Sequence, residues 1–435
     1  MSFAVAVVGS GPSGFYAVEA IAKALPGCAV DLMDRLPTPY GLVRSGVAPD
    51  HQNTKNVWRV YQRIAKRPEV RYLGNVELGR DLSLAELRHA YDAVVLAVGA
   101  PIDKELGIPG EHLLGVVDSG KLSGWYNGHP DHSAFVPDLS GAGVLVIGNG
   151  NVAVDVVRVL GRIPSEMTKT DLPAYASELL GRKGIRRITM LGRRGPGDAS
   201  FTPVELRELG ELEATVATVD PSELPESITA PDPTQQKLKE KILEILRGYG
   251  ANDPSSKPCE LRIGFFGAPI EILGRDRVEG VVIEKTRVED GKAVLTGERT
   301  TLPCSMVVKA IGYAVRPIEG IATRPGATSY PNVDGRIDDG LWAVGWAKRG
   351  PSGVVATNRG DSIAAMEKLL AELAPKTPKE GARAKIDALL ASRGVGVTSF
   401  TDWEKIEKVE HERIVDGAPR CKVTTWDELN RIARS

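Results

Sequence analysis

The sequence predicts an α/β protein built from two nucleotide-binding units of the doubly wound kind. Three observations carry this. The apolar run "FAVAVV" (3–8) passes into Gly9-Ser-Gly11-Pro-Ser-Gly14 and then into the helical "FYAVEAIAKAL". The run "GVLVI" (143–147) passes into "GNGNVAVDVVRVLGRI", a second strand, turn and helix. At 435 residues the chain exceeds one ordinary domain, so two is the default.

In the first unit, strand 3–8 reads as a buried parallel strand. Gly9, Gly11 and Gly14 have GxGxxG spacing: a tight turn, a close approach to a pyrophosphate, and a close helix–strand contact. The amides at the helix start suit phosphate. A second strand, "AVDLMD", ends on Asp34, where a ribose-binding carboxylate is expected. The Pro- and Gly-rich stretch that follows, "RLPTPYGLVRSGVAPDHQNTKNV", predicts an extended loop before a helix near Val57 and holds His51. Such a loop suits a cofactor that runs on past its adenosine half, as a flavin does. "YDAVVLAVGA" (91–100) is a further buried strand.

In the second unit, Gly148, Gly150 and Ala153 give GxGxxA, with a helix from about Asn151 to Leu160. The partner strand "RRITMLG" ends on Gly192 in place of an acid, and Arg193 and Arg194 follow. Guanidinium groups match a 2′-phosphate through charge-assisted forks, whereas a carboxylate would repel it, so the pair predicts NADP(H) over NAD(H). Two nucleotide units imply two nucleotides, and a flavin with a nicotinamide is the simplest chemical pairing.

Beyond this, "FTPVELRELGELE" (201–213) predicts a helix capped by Thr202, with Glu205 and Glu208 on one face; Glu205 either serves the cap or reaches a ligand. A Pro-rich connector leads to the helix "QQKLKEKILEILRGYG". Its Lys237 and Lys241 lie four apart, either as a solvated face or as a docking face for an acidic protein. Residues 261–312 read as a β-meander with a turn at Asp290-Gly291 that returns to a buried strand, "MVVKAIG". "LWAVG" predicts a strand, and "KRGPSGVVATNRGDS" a Gly-rich loop into a helix that returns the chain to the first domain. The tail reads as helices around a short extended piece.

Composition narrows the function. With 55 Lys+Arg against 56 Asp+Glu, the chain's net charge of −1 does not draw it to nucleic acid or membrane. The four cysteines, Cys28, Cys259, Cys304 and Cys421, are far apart and form no CxxC, which disfavours a local dithiol relay or iron–sulfur cluster. No metal site is expected. No segment is apolar enough to span a bilayer, and a cytoplasmic setting is expected.

The stretches "VVGSGPSGFYA", "LPTPYGLVRSGVAPDH", "VIGNGNVAVDVVR", "LGRRGP", "FTPVELREL", "VGWAKRGPSGVVATN" and "SFTDWEKIE" occur in this order along nearly the whole chain. Through them the chain resembles the adrenodoxin reductase family of ferredoxin–NADP(H) reductases, including its bacterial members. The resemblance implies two glutathione-reductase-type Rossmann-like domains, one inserted in the other: an FAD domain over 1–102 and 325–435, and an NADP domain over 103–324. It implies FAD on Gly9, Gly11, Ser13, Gly14, Asp34, Leu42, Val76, Trp346, Gly353, Val354 and Val355. It implies NADP on Lys104, Asn151, Val152, Ala153, Val154, Arg193, Arg194, Glu205 and Gly353, with His51 and Glu208 as catalytic residues. The departures are Gln52 where a proline is common, Lys104 where an arginine can occur, and Gly197 and Asp198. Asp198 adds negative charge near the NADP phosphates. The implied activity is ferredoxin–NADP(+) reductase: hydride from NADPH to FAD, then single electrons to an acidic ferredoxin-like iron–sulfur protein, with a cytochrome P450 system as one outlet. The alternatives are an FAD-dependent NADPH monooxygenase and a non-catalytic flavoprotein that senses NADP(H).

Overall fold

The structure, a computed structural model, describes residues 2–230 and 232–435. The chain folds into two compact units. The first comprises Met1–Ile102, Asn127–Asp131 and Gly312–Ser435; the second comprises Asp103–Tyr126 and His132–Ile311. The return to the first unit thus falls at 311/312, earlier than the 324/325 expected, and the short segment Asn127–Asp131 also belongs to the first unit.

The first unit is built on a six-stranded sheet in the order Arg336–Asp338, Leu341–Ala343, Ala93–Leu96, Ala4–Val8, Ala29–Met33, Val70–Leu73. All neighbours are parallel except the edge strand Arg336–Asp338. The central strand shows why "FAVAVV" is apolar throughout. Val5 and Val7 join the core on one face, and Ala4, Ala6 and Val8 join the core on the other. The helix Pro12–Ala24 begins with proline in its first turn, where a missing N–H costs nothing. It is tied to the late helix Thr357–Leu373 by Ser13 Oγ donating to Asn358 Oδ1 (2.9 Å) and Ser362 Oγ donating to the Ser13 carbonyl (3.0 Å).

The second unit holds a wholly parallel six-stranded sheet in the order Val116–Asp118, Met306–Lys309, Gly143–Ile147, Arg187–Leu191, Cys259–Gly264, Thr215–Val219. A three-stranded antiparallel sheet, Gly267–Leu273, Gly280–Glu289 and Lys292–Pro303, packs against it. Ile272, Val278 and Val281 share a core with Leu145, Ile147, Leu191 and Val307. The meander expected over 261–312 is therefore narrower at its start, where Cys259–Gly264 is a parallel strand of the main sheet, and the buried strand to which it returns, Met306–Lys309, lies in that sheet too. Asp290 and Gly291, at φ 48° and 72°, make the expected tight turn. The strand Thr215–Val219, within the stretch between the "VELREL" helix and the Pro-rich connector, is an addition to the sequence reading. Among the described residues no helix is long and apolar enough to cross a membrane, and all four cysteines are free.

Candidate nucleotide-binding sites

In the first unit the glycine turn is set by contact. A Cβ on Gly14 would lie 1.9 Å from the Gly9 carbonyl oxygen, and one on Gly9 would lie 2.3 Å from the Ala97 carbonyl oxygen. Gly11 caps the helix Pro12–Ala24 with no side-chain bond, and no acid sits in its first turn, so the amides there are left for an anion. The second strand, Ala29–Met33, stops one residue before the expected end, and Asp34 follows directly on it. Its carboxylate accepts from the Ser10 amide (2.9 Å), the Ser10 hydroxyl (2.5 Å) and the Leu36 amide (3.0 Å). These bonds fix its direction and leave lone-pair capacity for a ribose hydroxyl.

The loop after Asp34 is not simply extended. Leu42–Ser45 and Gln52–Lys55 are short helices within it, ahead of Trp58–Ala65. Leu42 is 50% exposed, whereas Val76 is buried in the core with its amide bonded to the Asp34 carbonyl. His51, half-buried, is the N-cap residue of the helix Gln52–Lys55, and its carbonyl accepts from the Lys55 amide. Lys55 is itself buried and donates to Asn127 Oδ1 at 2.9 Å. Trp346 stacks on Tyr313 (6.0 Å, 18°), and its indole N–H donates to the Ser352 carbonyl. The following loop exposes Gly353, at φ 79°, and Val354, whereas Val355 packs against the core.

In the second unit the helix Asn151–Gly161 starts at Gly150, again without a side-chain cap, and a Cβ on Gly150 would point into open space. Val152 is half-buried in the first turn, and Ala153 and Val154 are fully buried. Asn151 Oδ1 accepts from the Thr202 amide and so fixes the start of the next helix, Pro203–Glu208. Gly192 has a steric reason: a Cβ there would meet the Asn149 side chain at 2.0 Å. Arg193 is exposed and forms no ion pair among the described residues. Arg194 pairs with Asp198 at 2.9 Å. Lys104 is half-buried.

The helix Pro203–Glu208 is capped by Thr202 Oγ1, which accepts from the Glu205 amide (3.3 Å). Glu205 and Glu208 share one partner, the buried Arg158, at 3.3 Å each, and Arg158 also holds Asp155 at 2.7 Å. Lys237 and Lys241 are exposed on the helix Pro233–Gly250. They flank a shallow depression of about 220 Å³ that includes the half-exposed Leu238.

The family described as pyridine nucleotide-disulphide oxidoreductase matches residues 3–182. The NADPH-ferredoxin reductase FprA of Mycobacterium tuberculosis is 39% identical, with 98% of each chain covered. The mitochondrial NADPH:adrenodoxin oxidoreductase of Arabidopsis thaliana is 40% identical over 98% of this chain and 94% of its own, and that of Homo sapiens 39% over 98% and 91%. The structure of Mycobacterium tuberculosis FprA in complex with NADPH superposes with a TM-score of 0.94 at 37% identity, covering both chains fully. The chain belongs to the adrenodoxin reductase family of ferredoxin–NADP(H) reductases.

Two features of this family member escaped the sequence reading. Arg158 looks like one more charge near a helix end, and its partners Glu205 and Glu208 lie in a different helix. Glu410 looks like a solvated acid in "EKVEHE", yet it is fully buried. It accepts from Arg44 Nη1 and Nη2, from Arg420 at 2.8 Å and from the Val423 amide at 2.8 Å. Burial alone would raise its carboxyl pKa; Arg44 and Arg420 outweigh that and hold it below the usual range.

Proposed function

We propose that this chain is an FAD-dependent ferredoxin–NADP(+) reductase in which the first unit binds FAD and the second binds NADP(H). The observation that carries the reading is the contrast between two uncapped glycine turns. One is followed by a strand, Ala29–Met33, that leads into the fixed carboxylate of Asp34, and the other by a strand, Arg187–Leu191, that leads into Gly192 and Arg193, whose guanidinium forms no ion pair among the described residues. Both turns offer backbone donors to a pyrophosphate. Bound FAD supplies the redox chemistry, taking a hydride from NADPH and passing electrons singly to an iron–sulfur protein.

The chain's own residues bind and orient. The Ser13 and Gly14 amides face the FAD pyrophosphate, and Asp34 faces its ribose. Leu42, Trp346 and the Gly353–Val355 turn offer apolar and backbone surface to the flavin, while Val76 supports the strand end from within the core. In the second unit Asn151–Val154 take the NADP pyrophosphate, and Arg193, Arg194 and Lys104 supply positive charge. Glu205 and Gly353 serve the nicotinamide end. His51 and Glu208 are the candidate catalytic residues. His51 orients and polarises rather than attacks, and Glu208 is held in place by Arg158. An acidic ferredoxin-like protein docks near Lys237 and Lys241, a cytochrome P450 system is one outlet for its electrons, and the setting is cytoplasmic.

The test is an absorption spectrum of the purified protein before and after NADPH, followed by NADPH-driven reduction of a ferredoxin. A bound flavin that bleaches and a reduced ferredoxin support the reading. Substrate hydroxylation with oxygen consumption and no ferredoxin reduction overturns it in favour of a monooxygenase, and a flavin that NADPH leaves oxidised favours a sensor.

A further inference from the structure

We propose that Glu410 is a positioning residue for the FAD-binding turn: through Arg44 it holds the loop Tyr40–Ser45 so that Gly41 closes on Gly11. The inference rests on the reading that the first unit binds FAD.

Gly11 is the fingerprint glycine whose backbone approaches a pyrophosphate. The loop lies directly against it: a Cβ on Gly41 would come within 2.9 Å of the Gly11 Cα, and the Tyr40 amide donates to the Ser10 carbonyl at 3.0 Å. The loop does not hold this shape on its own. Tyr40 sits at φ 85°, a conformation that a bulky residue keeps only when its surroundings over-determine it. Those surroundings come from the far end of the sequence. The Tyr40 ring meets Trp403 edge-on at 5.7 Å, and the Arg44 guanidinium lies 5.0 Å over the same indole. Glu410 takes Arg44 as a two-pronged fork, and Lys422 Nζ donates to the Arg44 carbonyl at 3.0 Å. Both the side chain and the main chain of Arg44 are therefore fixed from residues 403–423.

An apolar contact would join these segments without the cost of burying a carboxylate. What the fork adds is direction: a planar guanidinium on a carboxylate whose remaining bonds go to Arg420 and the Val423 amide permits one placement of the loop. The turn is thereby shaped before FAD arrives, and a preorganised site binds more tightly than one that must be ordered.

The experiment is the full chain carrying Glu410→Gln, stripped of FAD and titrated with FAD by flavin fluorescence. Visible circular dichroism reads the bound flavin, and far-ultraviolet circular dichroism and urea unfolding read the apoprotein. The expected result is an FAD Kd raised about tenfold or more and an altered visible dichroism, with the helical signal retained and Glu410→Asp intermediate. A folded Glu410→Gln with an unchanged Kd, even with a lower urea midpoint, overturns the inference, because a merely structural role gives that pattern. If Glu410→Gln does not fold, Arg44→Lys, which keeps the charge and loses the fork, is measured the same way, and an unchanged Kd again overturns it. A wild-type chain that binds no FAD defeats the underlying reading as well, which separates the two failures.

Discussion

At the scale of single residues, Arg193 and Arg194 are not equivalent. Arg193 is exposed and forms no ion pair among the described residues, whereas Arg194 already spends its charge on Asp198. Arg193→Ala is therefore expected to weaken NADPH binding by ~1.5–3 kcal/mol, the range for hydrogen bonds to charged groups. Arg194→Ala costs less, and NADH binding changes little in either. Fluorescence titration of both nucleotides checks this, and equal losses for NADH and NADPH would remove the 2′-phosphate from Arg193. Asp198→Asn frees Arg194 and should tighten NADPH binding in the same titration. Arg158 makes a different demand. It is wholly buried, while Asp155, Glu205 and Glu208 are each about a fifth to a quarter exposed. Arg158→Met removes the cation that these three carboxylates share. Their partial exposure puts the loss of stability at about 2 kcal/mol, below the ~3–5 kcal/mol of a fully buried pair. Urea unfolding measures it.

At the scale of elements, the helix Pro233–Gly250 presents Lys237 and Lys241 beside the half-exposed Leu238, a charged rim around a small apolar patch. Reversing both lysines to Glu is expected to slow ferredoxin reduction, most at low salt, and to leave ferricyanide reduction unchanged, because only a protein partner feels the patch. Identical ferredoxin kinetics in a salt series would return the helix to an ordinary solvated face. This helix was legible in the sequence because its apolar residues recur at helical spacing, and the glycine turns were legible because close backbone contacts at Gly9 and Gly14 admit no other residue. The strand Thr215–Val219 was harder to see. It is a single short edge strand between a helix and a Pro-rich stretch, and its pairing with Cys259–Gly264 is non-local. For the same reason "LRIG" (261–264) passed for part of a meander: alternation does not reveal whether a neighbour runs parallel. Arg158, Glu410 and the segment Asn127–Asp131 were illegible because their roles depend on residues brought together from different elements, and a buried ion pair has the same letters as a solvated one.

At the scale of the whole molecule, buried and capped carboxylates set the response to acid. Arg393 and the Ser83 amide hold the Glu86 carboxyl at about 2, below its ordinary 4.5. A carboxyl whose pKa is lowered by folding stabilises the fold above its unfolded value and loses that contribution as pH falls toward the folded one. The urea midpoint of Glu86→Gln is thus expected to lie below wild type by a constant gap above about pH 5.5, and the gap should close as pH drops from 4.5 toward 2. Glu410, also lowered, adds to the same acid limb. The division of the first unit along the chain has a further consequence, for biosynthesis. Strand Ala93–Leu96 leaves the ribosome with Ala4–Val8 as a partner on one side, but its other neighbour, Leu341–Ala343, is made roughly 250 residues later. At translation rates of about 5–20 residues per second, that edge stays unpaired for roughly 12–50 seconds. The second unit ends at Ile311, only about 30 residues before that neighbour, so through most of the interval both sheets are unfinished and the nascent chain carries a sticky open edge, and that interval is when a chaperone has most to shield.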